Sequence, residues 1–421
     1  MSLRSPRLLA TGLSAALLGC TVLAGPALAI TPDEVWTGWQ GMATKAGSKL
    51  TATAEKQGDD LVLRALTSTT SDSDAGVDTT TNYGDVTLKA AADGRVDILM
   101  PAPITMKASF KSAEAGEPPV ELLSTFTREG EKAWVTGTAE LPAYGYEAAS
   151  LSIQSDAEMP DADTKTTDTL RNTIMTSALK ANWQQGPGTR IATQVETGET
   201  RLTTNANIAS EGAKLVVRGV MASFKGQFEG EMDEALAMAA PSIASMGALT
   251  GSSSHESGPM VLEVEATSPQ QPLSLRFQAM GSSSKSTHQA TGITYDAEIA
   301  GFGIGKGGSA EVSTAGLTSG GSTLRIDVDG KWPAGAAATK PSDTDPMGMA
   351  GASGTLKIAL VGVEPLFAGL LSTGLVAQDD LMGVRMMMGM FAVPGDEGDS
   401  LKTTIELTPE GGIVANGMPL Q

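Results

Sequence analysis

The stretch Val86-Thr87-Leu88-Lys89-Ala90-Ala91-Ala92-Asp93-Gly94-Arg95-Val96-Asp97-Ile98-Leu99-Met100 alternates apolar and polar residues on both sides of Asp93-Gly94. A period of two sends successive side chains to opposite faces of a strand. The Asp-Gly pair supplies the positive φ that a tight turn needs. The segment therefore predicts a hairpin of Val86 to Ala90 with Val96 to Met100.

Working outward, the same pattern recurs. Leu50 to Ala54 and Leu61 to Leu66 flank Gln57-Gly58-Asp59-Asp60, and Leu122 to Phe126 and Ala133 to Thr138 flank Arg128-Glu129-Gly130-Glu131. Further strands are expected at Ala148 to Gln154, Arg190 to Thr197, Lys214 to Val220, Met260 to Ala266, Leu273 to Ala279, Tyr295 to Ile299 and Thr323 to Val328. Few long helical stretches separate them, so parallel crossovers are disfavoured and an antiparallel meander is expected. The fold class that follows is mainly β, a β-rich α+β chain of extended antiparallel sheets with a few short covering helices.

The helices announce themselves by caps and period. Thr31-Pro32-Asp33-Glu34 combines an N-cap Thr, a Pro at the first helical position and a Glu three residues after the cap, and Val35, Trp36, Trp39, Ala43, Ala46 and Leu50 follow at helical spacing. Thr169 to Trp183 and Glu231 to Met246 also read as helical. Near the C-terminus, Leu356 to Leu360 reads as a strand, Glu364-Pro365 opens a helix through Leu371, and Asp379 to Phe391 forms another with Leu381, Val384, Met388 and Phe391 on one face. Leu401 to Leu407 and Ile413 to Ala415 predict a closing hairpin.

The expected organisation is a signal peptide over 1–29, an N-terminal helix with an antiparallel β region over 30–160, and a central β region with helical excursions over 161–332. A low-complexity linker over 333–354, rich in Pro, Gly, Ala and Asp, leads to a C-terminal α+β section over 355–421. The leader has Arg4 and Arg7, an apolar run from Leu8 to Ala24 and small residues at Ala27-Leu28-Ala29, which predicts export to the periplasm with cleavage after Ala29. An alternative is a lipoprotein anchored through Cys20, since Leu17-Leu18-Gly19-Cys20 resembles a lipobox. No later stretch is long and apolar enough to predict a transmembrane helix in the mature chain.

Cys20 is the sole cysteine, so cleavage at Ala29 leaves no disulfide, thiol nucleophile or thiolate metal site. The net charge of −19 becomes −21 once Arg4 and Arg7 are removed. Such a surface repels nucleic-acid phosphates, and no nucleic-acid partner is expected.

Motifs for chemistry are sparse. His255 and His288 lie in serine-rich contexts that read as loops, with no nucleophile or ligand at a recognised spacing. Gly301-Phe302-Gly303-Ile304-Gly305-Lys306-Gly307-Gly308 lacks the Ser or Thr of a phosphate loop and reads as a turn or bulged strand. Neither Asp72-Ser73-Asp74-Ala75-Gly76 nor Asp396-Glu397-Gly398-Asp399 completes a calcium loop. Arg385-Met386-Met387-Met388-Gly389-Met390-Phe391 reads as core packing, with an adaptable binding surface as the alternative. No catalytic, cofactor-binding or metal residue is assigned, and no cofactor is expected.

Leu370-Leu371-Ser372-Thr373-Gly374-Leu375, the run Arg385 to Ala392, Pro394-Gly395-Asp396, the ending Gly412 to Leu420 and the opening Thr31-Pro32-Asp33-Glu34-Val35-Trp36 resemble the bacterial periplasmic family called domain of unknown function 2125. The resemblance brackets the mature chain and implies a secreted, strand-rich envelope protein, with no activity or catalytic residues to carry over.

The expected function is a non-enzymatic periplasmic envelope protein, structural or binding. Hydrophobic residues make up 41% of the chain and aromatics 4%, so aliphatic and Met side chains must cover the sheet faces. A long meander with few helices leaves apolar face to spare, which predicts a groove for a lipid-like envelope molecule, or contact with another envelope protein, unless two sheets pack as a sandwich. The rivals are a carboxylate-dependent hydrolase of envelope polymers and an outer-membrane barrel. Against the barrel, 5 Trp, 4 Tyr and 8 Phe are few for two interfacial girdles.

Overall fold

The Val86 to Met100 segment forms the hairpin it predicts: Leu88 pairs with Ile98 and Ala90 with Val96, and Gly94 holds φ +84° in the turn. The computed structural model describes residues 29–421 except 73–75, 102, 112–118, 162–165, 187–189, 210, 233–248, 269–271, 290, 309–311, 333–350, 375 and 421. Of the helix expected over Glu231 to Met246, Glu231 and Met232 instead end a strand paired with Thr250 and Leu249, and residues 233–246, with most of the 333–354 linker, lie outside the described residues.

Helix α1 (Pro32–Lys45) carries the capping box read from the sequence, with Thr31 Oγ1 accepting from the Glu34 N–H at 3.3 Å and Glu34 accepting from the Thr31 N–H at 2.8 Å. The chain then runs through β1 (Ser48–Gln57), β2 (Asp60–Asp72), β3 (Val77–Ala90), β4 (Val96–Leu99), β5 (Ile104–Phe110), β6 (Val120–Glu129), β7 (Lys132–Gly137), β8 (Pro142–Asp161) and β9 (Thr166–Gln185). Next come β10 (Arg190–Thr197), β11 (Thr200–Ile208), β12 (Ala213–Met221), β13 (Phe224–Met232), β14 (Leu249–Ser257), β15 (Met260–Thr267), β16 (Leu273–Ala279), β17 (Gly281–Gln289), β18 (Gly292–Lys306), β19 (Ser322–Lys331) and β20 (Ser353–Val361). Helices α2 (Val363–Thr373) and α3 (Gln378–Phe391) precede β21 (Val393–Pro394), β22 (Ser400–Leu407), β23 (Ile413–Ala415) and β24 (Met418–Leu420).

Among the described residues all 24 strands belong to one hydrogen-bonded sheet, and every pairing is antiparallel. The sections 30–160 and 161–332 share this sheet through the β8–β9 hairpin. Several neighbours in sequence behave as one long strand interrupted at its middle. The first half of β9 pairs with β11 and its second half with β10, so β10 and β11 lie end to end along one edge of β9. The same relation joins β12 to β13, β14 to β15, and β16 to β17, until β18 receives β17 along its first part and β16 along its last. The sheet is thus a meander of long strands crossed by a crease.

The crease is built from bulges. Ala65 and Ala178 adopt left-handed φ of +49° and +48°, and Gly84, Gly130 and Gly301 do so at +72°, +61° and +58°. A bulge inserts a residue, bends the strand and shifts the phase of its alternation. Hydrogen bonds continue across the line, among them Ser177 N–H to Glu199 O at 2.9 Å, Ala222 N–H to Pro259 O at 2.9 Å and Met280 N–H to Ala300 O at 2.8 Å.

Thr169 to Trp183, expected as helix, is instead the body of β9. Leu170 and Ile174 alternate with polar residues before the bulge, and Leu179, Ala181 and Trp183 alternate after it in the opposite phase. Summed over the whole segment, the phase slip imitates helical spacing.

Among the described residues, each strand makes its extensive contacts with its ladder neighbours, supplemented by α1 against β1 to β3 and α2 against β18 and β19. The described strands all belong to this one sheet, so no separate second sheet is found among the described residues. The largest core joins Ile30 and Val35 to Leu63, Val86, Leu88, Val96, Val135, Tyr144 and Ala181; smaller ones join Val363 and Phe367 of α2 to Leu381 of α3, and Val220 of β12 and Val261 of β15 to Val312.

Candidate ligand-binding face

Because side chains alternate and directly paired residues share a face, the register sorts this sheet into two surfaces. On the wing carrying β11, β12, β15 and β16, one row of partners is Ala157, Leu170, Ala206, Leu215, Ala266 and Leu273, and another is Ile153, Ile174, Leu202, Gly219, Leu262 and Phe277. The row between them starts polar at Ser155, Asn172 and Thr204 and turns aliphatic at Val217, Val264 and Leu275. The reverse surface of the same strands carries Arg171, Asn205, Lys214, Arg218, Glu263, Glu265 and Arg276.

The wing carrying β10, β13, β14 and β17 repeats the division. Its polar surface holds Gln194, Gln227, Ser254, Lys285, Asp296, Asp327 and Lys357 in one row. Cross-strand ion pairs knit this surface, including Lys225–Glu196 at 2.8 Å and Arg325–Glu298 at 2.9 Å, as Arg218–Glu265 at 2.7 Å does on the first wing. Its other surface presents Phe224 and Phe228 of β13, Ile293, Tyr295, Ala297 and Ile299 of β18, and Leu324, Ile326 and Val328 of β19.

Both wings turn their apolar surface to the same side. At one end the α1 core takes in Leu66 and Leu50 from beyond the crease together with Leu61 and Leu63 from before it. At the other end Gly369 of α2 abuts the Ile304 carbonyl so closely that a Cβ has no room, while Leu360 and Leu401 of the opposite wing join the α2–α3 core. Between these helices no helix packs extensively on the apolar surface over β9 to β17 among the described residues. Leu262, Phe277 and Ile299 each stay 37% exposed on it.

The surface hollows, of about 420 to 640 Å³, lie on the polar side between charged rows, lined for example by Lys285, Asp296, Arg325 and Lys357. They collect no convergent acid pair, and their charges neutralise one another across strands. No group of three or more His, Cys, Asp or Glu fit to hold a metal occurs among the described residues. The acidic run at Asp396 to Asp399 serves structure: Asp396 pairs with Lys402, Glu397 with Arg325, and Asp399 accepts from the Glu364 N–H at the start of α2. The other acidic run falls partly outside the described residues.

The histidines are not in loops. His255 lies in β14 and His288 in β17, adjacent strands, both on the otherwise apolar side. Serines on both faces of these strands hide the alternation that would mark them in sequence. Gly301 sits at a bulge in β18 between Ile299 and Phe302, as its glycine-rich run predicts. The methionine run divides: Met388 joins the α3 core, whereas Met382, Met386 and Met390 are 66–72% exposed along the opposite side of the helix, so core packing accounts for only part of it.

No helix among the described residues is long and apolar enough to cross a membrane. The terminal strands β1 and β24 each pair on one side only among the described residues, so the sheet is open there. No family model matches the chain, and no curated protein and no solved structure is detectably similar to it.

Proposed function

We propose that this chain is a non-enzymatic component of the bacterial envelope, exported to the periplasm, that holds a lipid-like molecule against the apolar side of its creased sheet. The observation that carries the reading is the division of the sheet: one side carries cross-strand ion pairs around a small core of Val220, Val261 and Val312, and the other is an aliphatic surface several strands wide that, among the described residues, neither α1 nor α2 covers. Apolar area of that extent in contact with water is unfavourable at roughly 25 cal/mol per Å², which favours an occupant. An acyl chain fits the chemistry, since Leu, Ile, Val, Ala and Met dominate and no charge lies in the rows of Leu202 and Leu215. The leader sequence and the resemblance of both chain ends to domain of unknown function 2125 support the compartment.

Binding of the neutral fluorescent probe phenylnaphthylamine, together with native mass spectrometry of gently purified protein, tests the reading. Wild-type protein is expected to bind the probe and to carry co-purifying lipid. Leu262→Lys places a charge on the apolar side at a partly exposed position and is expected to abolish both, while Lys214→Glu on the reverse side leaves both intact. A clean apo mass with no probe binding removes the reading.

A further inference from the structure

The apolar side contains one polar island. Over Ser253–Ser257 of β14 and Ser282–His288 of β17 every side chain on that side is Ser or His: Ser253, His255 and Ser257 face Ser286, Ser284 and Ser282, and His288 stands beyond them opposite Gly251. At the other end of the same two interrupted strands, β15 and β16 present only Met260, Leu262, Val264, Ala266, Leu273, Leu275, Phe277 and Ala279. Polar and apolar halves are therefore aligned end to end along the strands. From His255 to Leu262 is seven residues, roughly 23 Å of extended chain, the scale of a long acyl tail.

The island is built rather than incidental. Ser253 and Ser286 hydroxyls are 2.7 Å apart, those of Ser257 and Ser282 2.8 Å, and Ser284 Oγ is 2.6 Å from His255 Nδ1. His288 Nε2 lies 3.1 Å from Ser286 Oγ, while its Nδ1 is buried with no partner among the described residues. Ser284 and Ser286 are 6% and 7% exposed. Phe224 stacks on His255 at 6.2 Å between ring centres and walls one side of the island; Tyr295 and Ala297 wall the other. A hydroxyl joined to one neighbour keeps spare donor and acceptor capacity, and an imidazole nitrogen buried without a partner costs free energy until something fills it.

We infer that this Ser/His island is a subsite for the uncharged, hydroxyl-bearing headgroup of an amphiphile whose tail lies along the aliphatic rows of β15 and β16. This inference rests on the lipid-holding reading above and adds the class of head. No Lys or Arg stands among the island's residues, and burial holds the His288 imidazole below its usual pKa, so the island offers neutral hydrogen bonds rather than a counter-ion for phosphate. Binding, not cleavage, follows from the backbone: β14 and β17 are interior strands whose N–H groups are committed to ladders, leaving no oxyanion donors beside the Ser284–His255 pair.

Three ligands with one dodecyl tail and different heads, dodecyl glucoside, dodecyl sulfate and dodecyl trimethylammonium, test the assignment below their micelle concentrations, by displacement of phenylnaphthylamine from the mature protein. Wild type is expected to prefer the glucoside by about tenfold, the worth of one or two neutral hydrogen bonds. Ser253→Ala/Ser286→Ala is expected to erase that preference while phenylnaphthylamine still binds, and His288→Gln, which keeps a polar amide there, is expected to retain part of it. If all three ligands displace the probe equally from wild type, or the double variant keeps the preference, the headgroup assignment falls and the apolar reading stands. If the probe itself does not bind, both fall.

Discussion

Tyr144 shows what burial does to a single ionisable group on this scaffold. It is 5% exposed, its ring lies 5.1 Å from that of Trp183, and desolvation pushes the phenol from 10.0 up to about 12 despite the opposing hydrogen bond with Trp39. Tyr146 is raised in the same direction, first by burial and then by the neighbouring Glu131 carboxylate. A folded-state pKa above the unfolded one means that the folded protein holds its proton longer. The stability is complete below pH 10 and is lost as the pH climbs from 10 to about 12, by up to roughly 3 kcal/mol for Tyr144. Thermal melts of wild type are expected to fall steeply across that window, and those of Tyr144→Phe to fall less; superimposable pH profiles for the two proteins would count against this account.

At the scale of elements, the crease decides how the strands lie, and Gly301 is its most constrained point. With φ +58° it occupies a conformation costly for other residues, and a Cβ there would lie 2.6 Å from Met280 Cγ and 2.9 Å from Ser319 Oγ. Gly301→Val is expected to lower the urea midpoint by an amount corresponding to at least about 2 kcal/mol. Gly383→Ala in α3, where a Cβ meets nothing within 4 Å, is expected to be neutral or slightly stabilising. Equal midpoints for the two variants would mean that the bulge imposes no constraint. The crease also explains what could be read from the sequence. The hairpins Leu50 to Leu66 and Val86 to Met100 were legible because alternation and a turn glycine agree, and α1 was legible from its capping box. Leu122 to Phe126 and Ala133 to Thr138, expected to pair across Gly130, instead lie end to end along β8 because Gly130 is part of the crease. The bulge at Ala178 was not, because Ala carries no signal for a left-handed φ, and its phase slip disguised β9 as a helix. The polar island was hidden for a related reason: in Ser252-Ser253-Ser254-His255-Glu256 both faces are polar, so nothing marks one residue as turned toward the apolar side.

For the whole molecule, a single sheet with no second sheet stacked on it among the described residues has a physical consequence that a sandwich of equal composition would not have. Counting collinear strands as one row gives about 17 rows, and at ~4.8 Å between neighbours the sheet extends roughly 75 Å across its strands. A compact domain of about 390 residues has a radius of gyration near 21 Å. The extended sheet, with strands of up to 20 residues such as β8 and β9, requires a larger value, about 25 to 28 Å after allowance for crease and twist. Small-angle X-ray scattering of a single chain spanning residues 30–421 is expected to give that larger radius and a longest dimension near 80 Å. A radius close to 21 Å would show that the sheet folds back on itself and covers its own apolar side, which would remove the physical reason for a bound amphiphile.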